Sequence, residues 1–324
     1  MTQHAWGFGL ATSRPDGRIL DVWYPHPQLG TAPEDAQPDS VLLSLERDDD
    51  TRHVHLRIIK TVINLDEEPS SAAGAYLRLH LLSWRFMEPN TLNLAGIFSV
   101  LENVAWTSLG PCFLDDFEDT RMRARAKTNA PVRILSVDKF PRMVDYVIPS
   151  GVRIADGNNV RLGAYLSAGT TVMHAGFVNY NAGSLGRAMI EGRVSQGVIV
   201  DDGADIGGGA STMGTLSGGG KELVRVGKRS LLGANSGLGI PVGDDCIVES
   251  GLYVTAGTKV TVLPTGGVAP SREGYIQEPE VVQARQLAGM NDILFRRNSQ
   301  SGAVEALPRP GVHGTQLNSV LHNN

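Results

Sequence analysis

A six-residue repeat in the middle of the chain constrains the fold more than any other feature. From Ile154, aliphatic residues recur at every sixth position, with Thr212, Ser230 and Ser236 as exceptions, and the same step resumes after each of two interruptions. The three series are Ile154, Val160, Leu166, Val172, Val178; Val194, Val200, Ile206, Thr212; and Val224, Ser230, Ser236, Val242, Val248, Val254, Val260. Most of these positions are followed three residues later by a glycine, and the 38 glycines of the chain are concentrated between positions 150 and 267. A short, fixed period of this kind is typical of a solenoid.

The period has a direct physical meaning. Each hexad supplies a short strand and a corner, the aliphatic residue points inward, and glycine adopts the corner conformation at little cost. Three hexads close one triangular coil, and hexad helices wind left-handed, against the usual crossover rule. The sequence therefore predicts a mainly β chain with a left-handed parallel β-helix at residues 131–265. An N-terminal α/β domain at 1–130 precedes it, and a short C-terminal loop and tail at 266–324 follow it.

Local signals predict elements of the N-terminal domain. GFGLATSRPDGRILDVWYP carries a Pro-Asp-Gly turn between two strand-like runs, which indicates a hairpin. SAAGAYLRLHLLSWRF suits a packed helix with a serine N-cap, and LNLAGIFSVLENVAW resembles a second helix.

Composition excludes several classes of protein. The formal net charge of −5 argues against a nucleic-acid binder. The two cysteines, Cys112 and Cys246, lack any disulfide or metal-ligand spacing and are expected to be reduced thiols. The N-terminus lacks the pattern of a secretory signal, and no apolar run approaches the roughly 20 residues that a membrane helix needs. We therefore expect a soluble, cytoplasmic protein with no nucleic-acid or membrane partner.

The interruption between Val178 and Val194 draws attention to the residue beside it. The spacing of sixteen predicts an inserted loop around NYNAGSLGRA, and in AMIEGRVS the next corner carries Glu191 where glycine or a short polar residue is usual. A corner side chain points outward at an edge, and in hexapeptide proteins, which usually form trimers, such edges line the clefts between subunits. The residues alone leave two readings open, with an ordinary surface glutamate favoured over a site.

Several long motifs carry a family resemblance over nearly the whole chain. They are KFPRMVDYVIPSGVRIADGNNVRLGAYLSAGTTVMHAGFVNYNAG, MIEGRVSQGVIVDDGADIGGGAS, MGTLSGGG, GKRSLLGANSGLGIPVGDDCIVESGLYVTAGTKV and ILFRRNSQSGAVE. The chain resembles tetrahydrodipicolinate N-succinyltransferase, specifically its actinobacterial branch. The resemblance implies transfer of succinyl from succinyl-CoA to the amino group of acyclic tetrahydrodipicolinate in lysine and diaminopimelate biosynthesis. It also implies a homotrimer with active sites between subunits, and it makes Glu191, in the M-x-E-G-R motif, the catalytic residue.

The acid–base properties of the partners limit what Glu191 does. A free amine has a pKa near 10.4, and an unperturbed glutamate has a pKa near 4.3. Direct proton transfer from the ammonium to the carboxylate is therefore uphill by about six pKa units, or roughly 8 kcal/mol. Glu191 instead either takes the proton as the nitrogen attacks the thioester, or attacks the thioester itself and carries succinyl as a mixed anhydride. Both routes leave an oxyanion that needs N–H donors, which the glycine-rich corners can supply.

The resemblance also implies where the CoA ester binds, as a co-substrate with no tightly bound cofactor. The implied contacts are Arg193, Gly208, Ser211, Ala234, Glu249, Ser250, Gly257, and the C-terminal run Ile293, Leu294, Phe295 and Arg296, which folds back over the cofactor in the family. Gln283 stands where the family has a CoA-binding lysine, and Lys259 or Arg272 are candidates to replace it. Asn158 and Ala175 match the Asp and Glu that hold a divalent ion in relatives. Because neither carries the charge that a hard cation wants, we predict no metal site.

Three alternatives compete with this interpretation. Another hexapeptide acyltransferase, such as an N-acetyltransferase, commonly uses a histidine base, and His174 is the only histidine within the repeat. A γ-type carbonic anhydrase needs three zinc-binding histidines, which the repeat lacks. A non-catalytic β-helix scaffold is the third, and it would release no CoA from succinyl-CoA.

Overall fold

The computed structural model describes residues 3–217, 221–264, 269–271, 274–276 and 278–309. Packing divides the chain into a first unit, residues 1–148 with Arg161–Gly163, and a second unit, residues 149–160 with everything from Ala164 onward. The three-part division at residues 130 and 265 stays a prediction. None of the described helices is both long and apolar enough to cross a membrane.

The first unit combines two antiparallel sheets with four helices. The strands are β1 His4–Ser13, β2 Ile19–Trp23, β3 Gln28–Leu29, β4 Arg47–Asp49, β5 Val54–Asn64, β6 Val104–Thr107, β7 Gly110–Phe113 and β8 Ile134–Asp138. One sheet has the order β2-β1-β5-β4 with β3 beside β1, and the other has the order β7-β6-β8. The helices are α1 Ser40–Leu43, α2 Ala72–Ser83, α3 Ile97–Val100 and α4 Phe117–Thr128, with a 3₁₀ turn at Met143–Asp145.

Two of the local predictions for this unit are confirmed and one is wrong. Strands β1 and β2 pair as the predicted hairpin, with Gly17 at a φ of 87° in its turn, a conformation that favours glycine. Helix α2 begins after Ser71, whose hydroxyl accepts from the Gly74 N–H. The second expected helix shrinks to α3, and the chain then enters β6, whose four residues are all buried. Burial in a sheet has there overridden the helix-like pattern.

The second unit is a left-handed parallel β-helix with three faces, which confirms the predicted fold class. Face one contains β10 Tyr165–Leu166, β13 Gly183–Ser184, β16 Ile199–Val200 and β19 Arg225–Val226. Face two contains β9 Arg153–Ile154, β11 Thr171–Val172, β14 Ala188–Ile190, β17 Ala204–Ile206, β20 Leu231–Leu232 and β22 Ile247–Val248. Face three contains β12 Phe177–Val178, β15 Arg193–Val194, β18 Ser211–Thr212, β21 Gly237–Gly239 and β23 Tyr253–Thr255.

The end of the β-helix continues as a mixed sheet on face two. Beyond β22 the order is β28 Ile293–Arg297, β29 Val304–Pro308, β24 Lys259–Val262 and β27 Glu280–Gln283. A separate hairpin joins β25 Ala269–Ser271 to β26 Gly274–Ile276. Short 3₁₀ turns lie at Gly157–Asn159 and Ala284–Leu287. Residues 310–324 of the predicted C-terminal tail lie outside the described residues.

Coil length varies, and the pairing register corrects two details of the repeat. Val178 pairs directly with Val194, so the expected inserted loop is wrong: this coil is two residues shorter than the eighteen of three hexads. Val226 pairs with Val242, and Leu238 with Val254, again sixteen positions apart. The hexad phase read from Val224 to Val260 therefore shifts by two residues inside that stretch. The glycine-rich second interruption is an insertion, since Ile199 pairs with Arg225.

Candidate active site

Glu191 lies in the shortest corner of its edge of the β-helix. The corners that join face two to face three, here called the Glu191 edge, comprise residues 173–176, 191–192, 207–210, 233–236 and 249–252. Four of them contain four residues, and the second contains only Glu191 and Gly192. The two missing residues are what shortens this coil to sixteen. A two-residue corner between four-residue neighbours sets Glu191 back in a notch of the edge.

The carboxylate of Glu191 faces the next corner. Its Oε2 lies 3.4 Å from the point that a Cβ atom would take on Gly208. Its backbone is fixed by the Glu191 N–H, which donates to the Ile206 carbonyl at 2.8 Å. The side chain is half-buried, and within the described part of the chain its carboxylate forms no hydrogen bond or ion pair. A carboxylate on a fixed backbone and without a partner among the described residues is available to a ligand.

Gly208, Ala234 and Ser250 occupy the same position in three successive corners. Neighbouring corners are tied by single hydrogen bonds, because Asn235 N–H donates to Gly208 O at 2.9 Å and Gly251 N–H donates to Ala234 O at 2.8 Å. The N–H groups of these three residues themselves have no partner among the described residues. The edge thus contains three successive N–H groups without a partner among the described residues, the first of them in the corner that Glu191 faces.

Arg193 and Ser211 are cross-strand neighbours on face three. They pair in register between β15 and β18, and both Nε and an Nη of Arg193 donate to the Ser211 hydroxyl, at 3.1 and 2.6 Å. Arg193 is exposed, so its remaining N–H donors point to solvent. This pair places a guanidinium two residues along the chain from Glu191, on the adjoining face.

An aromatic ring that the sequence did not single out continues this row. Tyr253 packs over Gly237, where a Cβ would come within 2.0 Å of its ring, and Gly237 pairs in turn with Ser211. The ring is 53% exposed. The available signal was an aromatic residue at an outward hexad position opposite a glycine.

The C-terminal run behaves as a strand of the β-helix. Ile293 and Phe295 are buried, at 3% and 0% exposure, so their side chains fill the interior. Leu294 and Arg296 are half-buried between them, and Arg296 Nε donates to Glu305 at 2.9 Å. Only Leu294, Arg296 and backbone atoms of this run are therefore open to an external ligand.

Glu249 ties this run to the Glu191 edge. Its N–H donates to the Phe295 carbonyl at 2.9 Å, and its carboxylate accepts from the Arg297 N–H at 2.6 Å. The carboxylate is thus already engaged with the neighbouring strand. Glu249 holds the C-terminal run beside Ser250. Its carboxylate is less available for hydrogen bonds to an external ligand than the N–H groups of Gly208, Ala234 and Ser250.

Gly257, Lys259 and Gln283 lie together at the end of the β-helix. A Cβ on Gly257 would meet nothing within 4 Å, so this position borders open space. Lys259 and Gln283 are directly opposite each other in the antiparallel β24–β27 pair. Since opposite residues of such a pair share a face, the Lys259 ammonium projects from the surface that carries Gln283. Arg272 lies outside the described residues.

The residues considered for a metal show other contacts. Asn158 donates to Asp156 at 2.9 Å from its side chain, and Ala175 is exposed. His174 is 86% exposed, with Nδ1 4.0 Å from Asp156. No group of three or more His, Cys, Asp or Glu side chains suited to a metal occurs among the residues that the structure describes.

Comparison with known proteins identifies related chains. Residues 101–142 match the family model "Tetrahydrodipicolinate N-succinyltransferase middle", and residues 223–256 match "Hexapeptide repeat of succinyl-transferase". The 2,3,4,5-tetrahydropyridine-2,6-dicarboxylate N-succinyltransferase of Vibrio cholerae is 43% identical over 354 aligned residues, covering 100% of both chains. The enzyme of the same name from Pseudomonas aeruginosa is 54% identical over 265 residues, covering 82% of this chain and 74% of that one.

A solved structure shares the fold. The crystal structure of a putative 2,3,4,5-tetrahydropyridine-2-carboxylate N-succinyltransferase from Campylobacter jejuni superposes with a TM-score of 0.79 at 31% identity. The match covers 94% of this chain and 92% of that one. Both units of the chain therefore have counterparts in proteins of this name.

Proposed function

This chain belongs to the family of tetrahydrodipicolinate N-succinyltransferases, and we propose that it transfers succinyl from succinyl-CoA to the acyclic amine with Glu191 as its catalytic residue. As a member of the family it is an enzyme of lysine and diaminopimelate biosynthesis. The residue roles, the trimer, the cytoplasmic location and the assignment to an actinobacterial branch stay predictions.

The observation that carries the catalytic proposal is the shared edge. Glu191, Gly208, Ala234 and Ser250 are spread over sixty positions of sequence, yet they lie in consecutive corners of the Glu191 edge. A thioester seated along this edge would meet a carboxylate and a row of N–H donors. Those are the two elements that acyl transfer to an amine requires.

We propose the following sequence of bond changes for the transfer. The neutral amine nitrogen attacks the carbonyl carbon of the thioester, and we assign the Gly208 N–H, which has no partner among the described residues, to the oxyanion. Glu191 accepts the proton that leaves the nitrogen as the N–C bond forms. The C–S bond then breaks, and the CoA thiolate leaves and takes up a proton. The ammonium form first loses one proton to solvent, and Glu191 takes up only the second, from an N–H that bond formation has made acidic, so it never deprotonates a free ammonium.

The mixed anhydride remains the second route. In it a Glu191 oxygen attacks the thioester first, CoA leaves, and the amine then attacks the acyl-enzyme. Incubation with succinyl-CoA and no amine, removal of the unreacted thioester by rapid gel filtration, and only then addition of hydroxylamine distinguishes the two routes, because hydroxylamine also cleaves thioesters directly. Stoichiometric succinyl hydroxamate that forms only with Glu191 present indicates the anhydride, and its absence indicates the base.

We assign CoA binding to the Glu191 edge and face three. Arg193 offers charge to an anionic part of the ligand, the Tyr253 ring offers apolar surface, and the corner N–H row offers donors to its amide carbonyls. At the far end, Leu294, Arg296, Gly257 and Lys259 complete the surface. Succinyl-CoA is thus a co-substrate, and the proposal needs no tightly bound cofactor.

The activity is tested by CoA thiol release with tetrahydrodipicolinate as acceptor. We expect faster release from succinyl-CoA than from acetyl-CoA, and N-succinylated product in equal amount. Preference for acetyl-CoA would favour an N-acetyltransferase, and no acceptor-dependent release from either thioester would favour the scaffold.

The trimer is tested by sedimentation. We propose a C3 homotrimer in which the edges of neighbouring β-helices face each other. A species near the 34.6 kDa of one chain at micromolar concentration would contradict it.

A further inference from the structure

Two glycines in β21 leave part of the outward surface of face three without side chains of its own. Gly237 and Gly239 lie either side of the buried Leu238, so both point outward. A Cβ on Gly237 would lie 2.0 Å from the Tyr253 ring, and a Cβ on Gly239 would lie 2.8 Å from Met213 Sδ. The two glycines therefore let side chains from neighbouring segments lie directly on this strand.

The start of the glycine-rich insertion after β18 is fixed on this surface. The Ser217 N–H donates to the Gly239 carbonyl at 2.9 Å, and the Ser217 hydroxyl accepts from the Ala256 N–H at 2.6 Å. The Met213 N–H donates to the Leu238 carbonyl at 2.8 Å. Residues 213–217 therefore form a wall over the outward position of Gly239.

One row of outward positions lies between this wall and the Glu191 edge. It crosses β15, β18, β21 and β23 in register, and we call it the Tyr253 strip: Arg193, Ser211, Gly237 and Tyr253. One side of the Tyr253 ring covers Gly237, and 53% of the residue is exposed. The strip thus carries a guanidinium beside Glu191 and an open aromatic surface further along the coils.

The distance along the strip corresponds to one part of an acyl-CoA. Neighbouring strands are about 4.8 Å apart, so a ring between β21 and β23 is about 10–14 Å from the level of Arg193. With the sulfur beside Glu191, the dimethyl carbon of the pantetheine arm is about ten bonds away, or about 12 Å at the roughly 1.2 Å per bond of an extended chain. This dimethyl group is the bulkiest apolar part of the arm.

The Glu191 edge supplies donors at the matching spacing. The Ala234 and Ser250 N–H groups have no partner among the described residues, and they lie in successive corners directly before β21 and β23. Successive corners are about 4.8 Å apart. The two amide carbonyls of the pantetheine arm are separated by about four bonds, or about 5 Å when extended. Both carbonyls can therefore face one N–H each, while the Gly208 N–H serves the oxyanion.

We propose that Tyr253 positions the acyl donor by packing its ring against the dimethyl end of the pantetheine arm, whose amide carbonyls accept from the Ala234 and Ser250 N–H groups. This inference rests on the proposed function, because it takes the position of the sulfur beside Glu191 from it. Tyr253 then recognises the arm that all CoA thioesters share, and the nucleotide lies beyond the strip.

Thiol-release kinetics of two Tyr253 variants test the contact. Tyr253→Ala should raise KM for succinyl-CoA about tenfold, the effect of exposing about two buried methyl groups. Its kcat should stay within about twofold, because the contact is the same in the ground and transition states. Tyr253→Phe keeps the ring and should behave like the wild type. Wild-type KM in Tyr253→Ala, or a fall in kcat at unchanged KM, would overturn the inference.

Competitive inhibition shows which part of CoA meets the ring. In Tyr253→Ala the inhibition constant of pantetheine should rise about tenfold, whereas that of adenosine 3′,5′-bisphosphate should stay within about twofold. An effect on the bisphosphate alone, or no inhibition of the wild type by millimolar pantetheine, would overturn the inference.

Tyr165→Ala is the matched control. Tyr165 is a half-buried, outward tyrosine of face one that also pairs in register with a glycine, Gly183. Its removal should leave both inhibition constants unchanged, and an effect equal to that of Tyr253→Ala would overturn the inference. A wild type without acceptor-dependent thiol release would contradict the proposed function and this inference with it. An active wild type with an unaffected Tyr253→Ala variant would contradict this inference alone.

Discussion

The Oε2 atom of Glu191 lies 3.4 Å from the position that a Cβ atom would take on Gly208, the equivalent corner one coil further along. The absence of a side chain at Gly208 leaves the carboxylate open to a reacting group. The two-residue corner leaves a notch, and Gly208 adds no side chain to it. We place the acyl transfer in this space.

Gly208→Ala should fill that space. The backbone of Gly208 is outside the left-handed region, so alanine fits without strain and stability should change by about 1 kcal/mol or less. Its methyl group would stand in contact with Oε2, where misplacement by about 1 Å lowers rates about 100-fold. We expect kcat/KM to fall about 10- to 100-fold with an unchanged melting temperature. Wild-type kinetics would show that the reacting groups do not use this space.

We expect Lys259 to supply the CoA contact that the family makes with a lysine at the position of Gln283. Lys259→Gln is expected to raise KM for succinyl-CoA about fivefold with kcat little changed, because an exposed charge pair contributes up to about 1 kcal/mol. Adding Gln283→Lys on the opposite strand should restore KM, since both side chains share one face. Lys228→Gln, an exposed lysine in a corner of another edge, is the control. Equal effects of the two lysine variants would remove the special role of Lys259.

Metal removal should leave the enzyme active. Asn158 and Ala175 supply no carboxylate for a divalent ion, and Asn158 is bonded to Asp156. We expect activity and trimer content to survive exhaustive EDTA treatment. A large loss that magnesium or calcium restores would contradict the assignment of these two positions.

His80 should make the first unit less stable in mild acid. It is buried, its Nε2 accepts from the Tyr24 N–H at 3.2 Å and its Nδ1 donates to the Tyr76 carbonyl at 2.8 Å, so the neutral ring is fully bonded. Burial lowers its pKa to about 4, below the value of about 6.5 expected in the unfolded chain. As the pH falls below about 6.5, the unfolded state binds the proton first. The stability that neutral His80 contributes is present above this pH and is lost towards pH 4.

The measurement is urea unfolding followed by tryptophan fluorescence, which reports on the first unit because all four tryptophans lie in it. Between about pH 7.5 and about 5.5, wild type should lose stability at up to about 1.4 kcal/mol per pH unit. His80→Gln should show a smaller slope, whatever its stability at neutral pH. The same slope in both proteins would assign the pH dependence to other groups.

The repeat made the β-helix predictable, but not the length of every coil. A spacing of sixteen between Val178 and Val194 is four more than two hexads and two fewer than three, so counting alone fits an insertion or a deletion. Pairing of the two residues resolves this as a deletion at the corner that carries Glu191. The same ambiguity hid the shift between Leu238 and Val242, because both phases place small or aliphatic residues inside.

Only the part of the candidate site that lies within a single sequence motif was predictable. Glu191 could be named from its motif, but the row of N–H groups depends on which corners stack, and that requires the register. Ile293 and Phe295 fit the motif of a covering segment, whereas their side chains are buried in the β-helix.

Glu191→Gln shows whether the Glu191 carboxylate performs the transfer. The change keeps the shape and removes both basicity and nucleophilicity, while the outward corner leaves the packed interior untouched. We predict that steady-state kinetics of the trimeric variant show a fall in kcat of about 10²–10⁴-fold, little change in the apparent affinity for succinyl-CoA, and near wild-type rates for the exposed control Glu280→Gln. A trimeric Glu191→Gln enzyme that retains more than about a tenth of the wild-type kcat would show that this carboxylate does not perform the transfer.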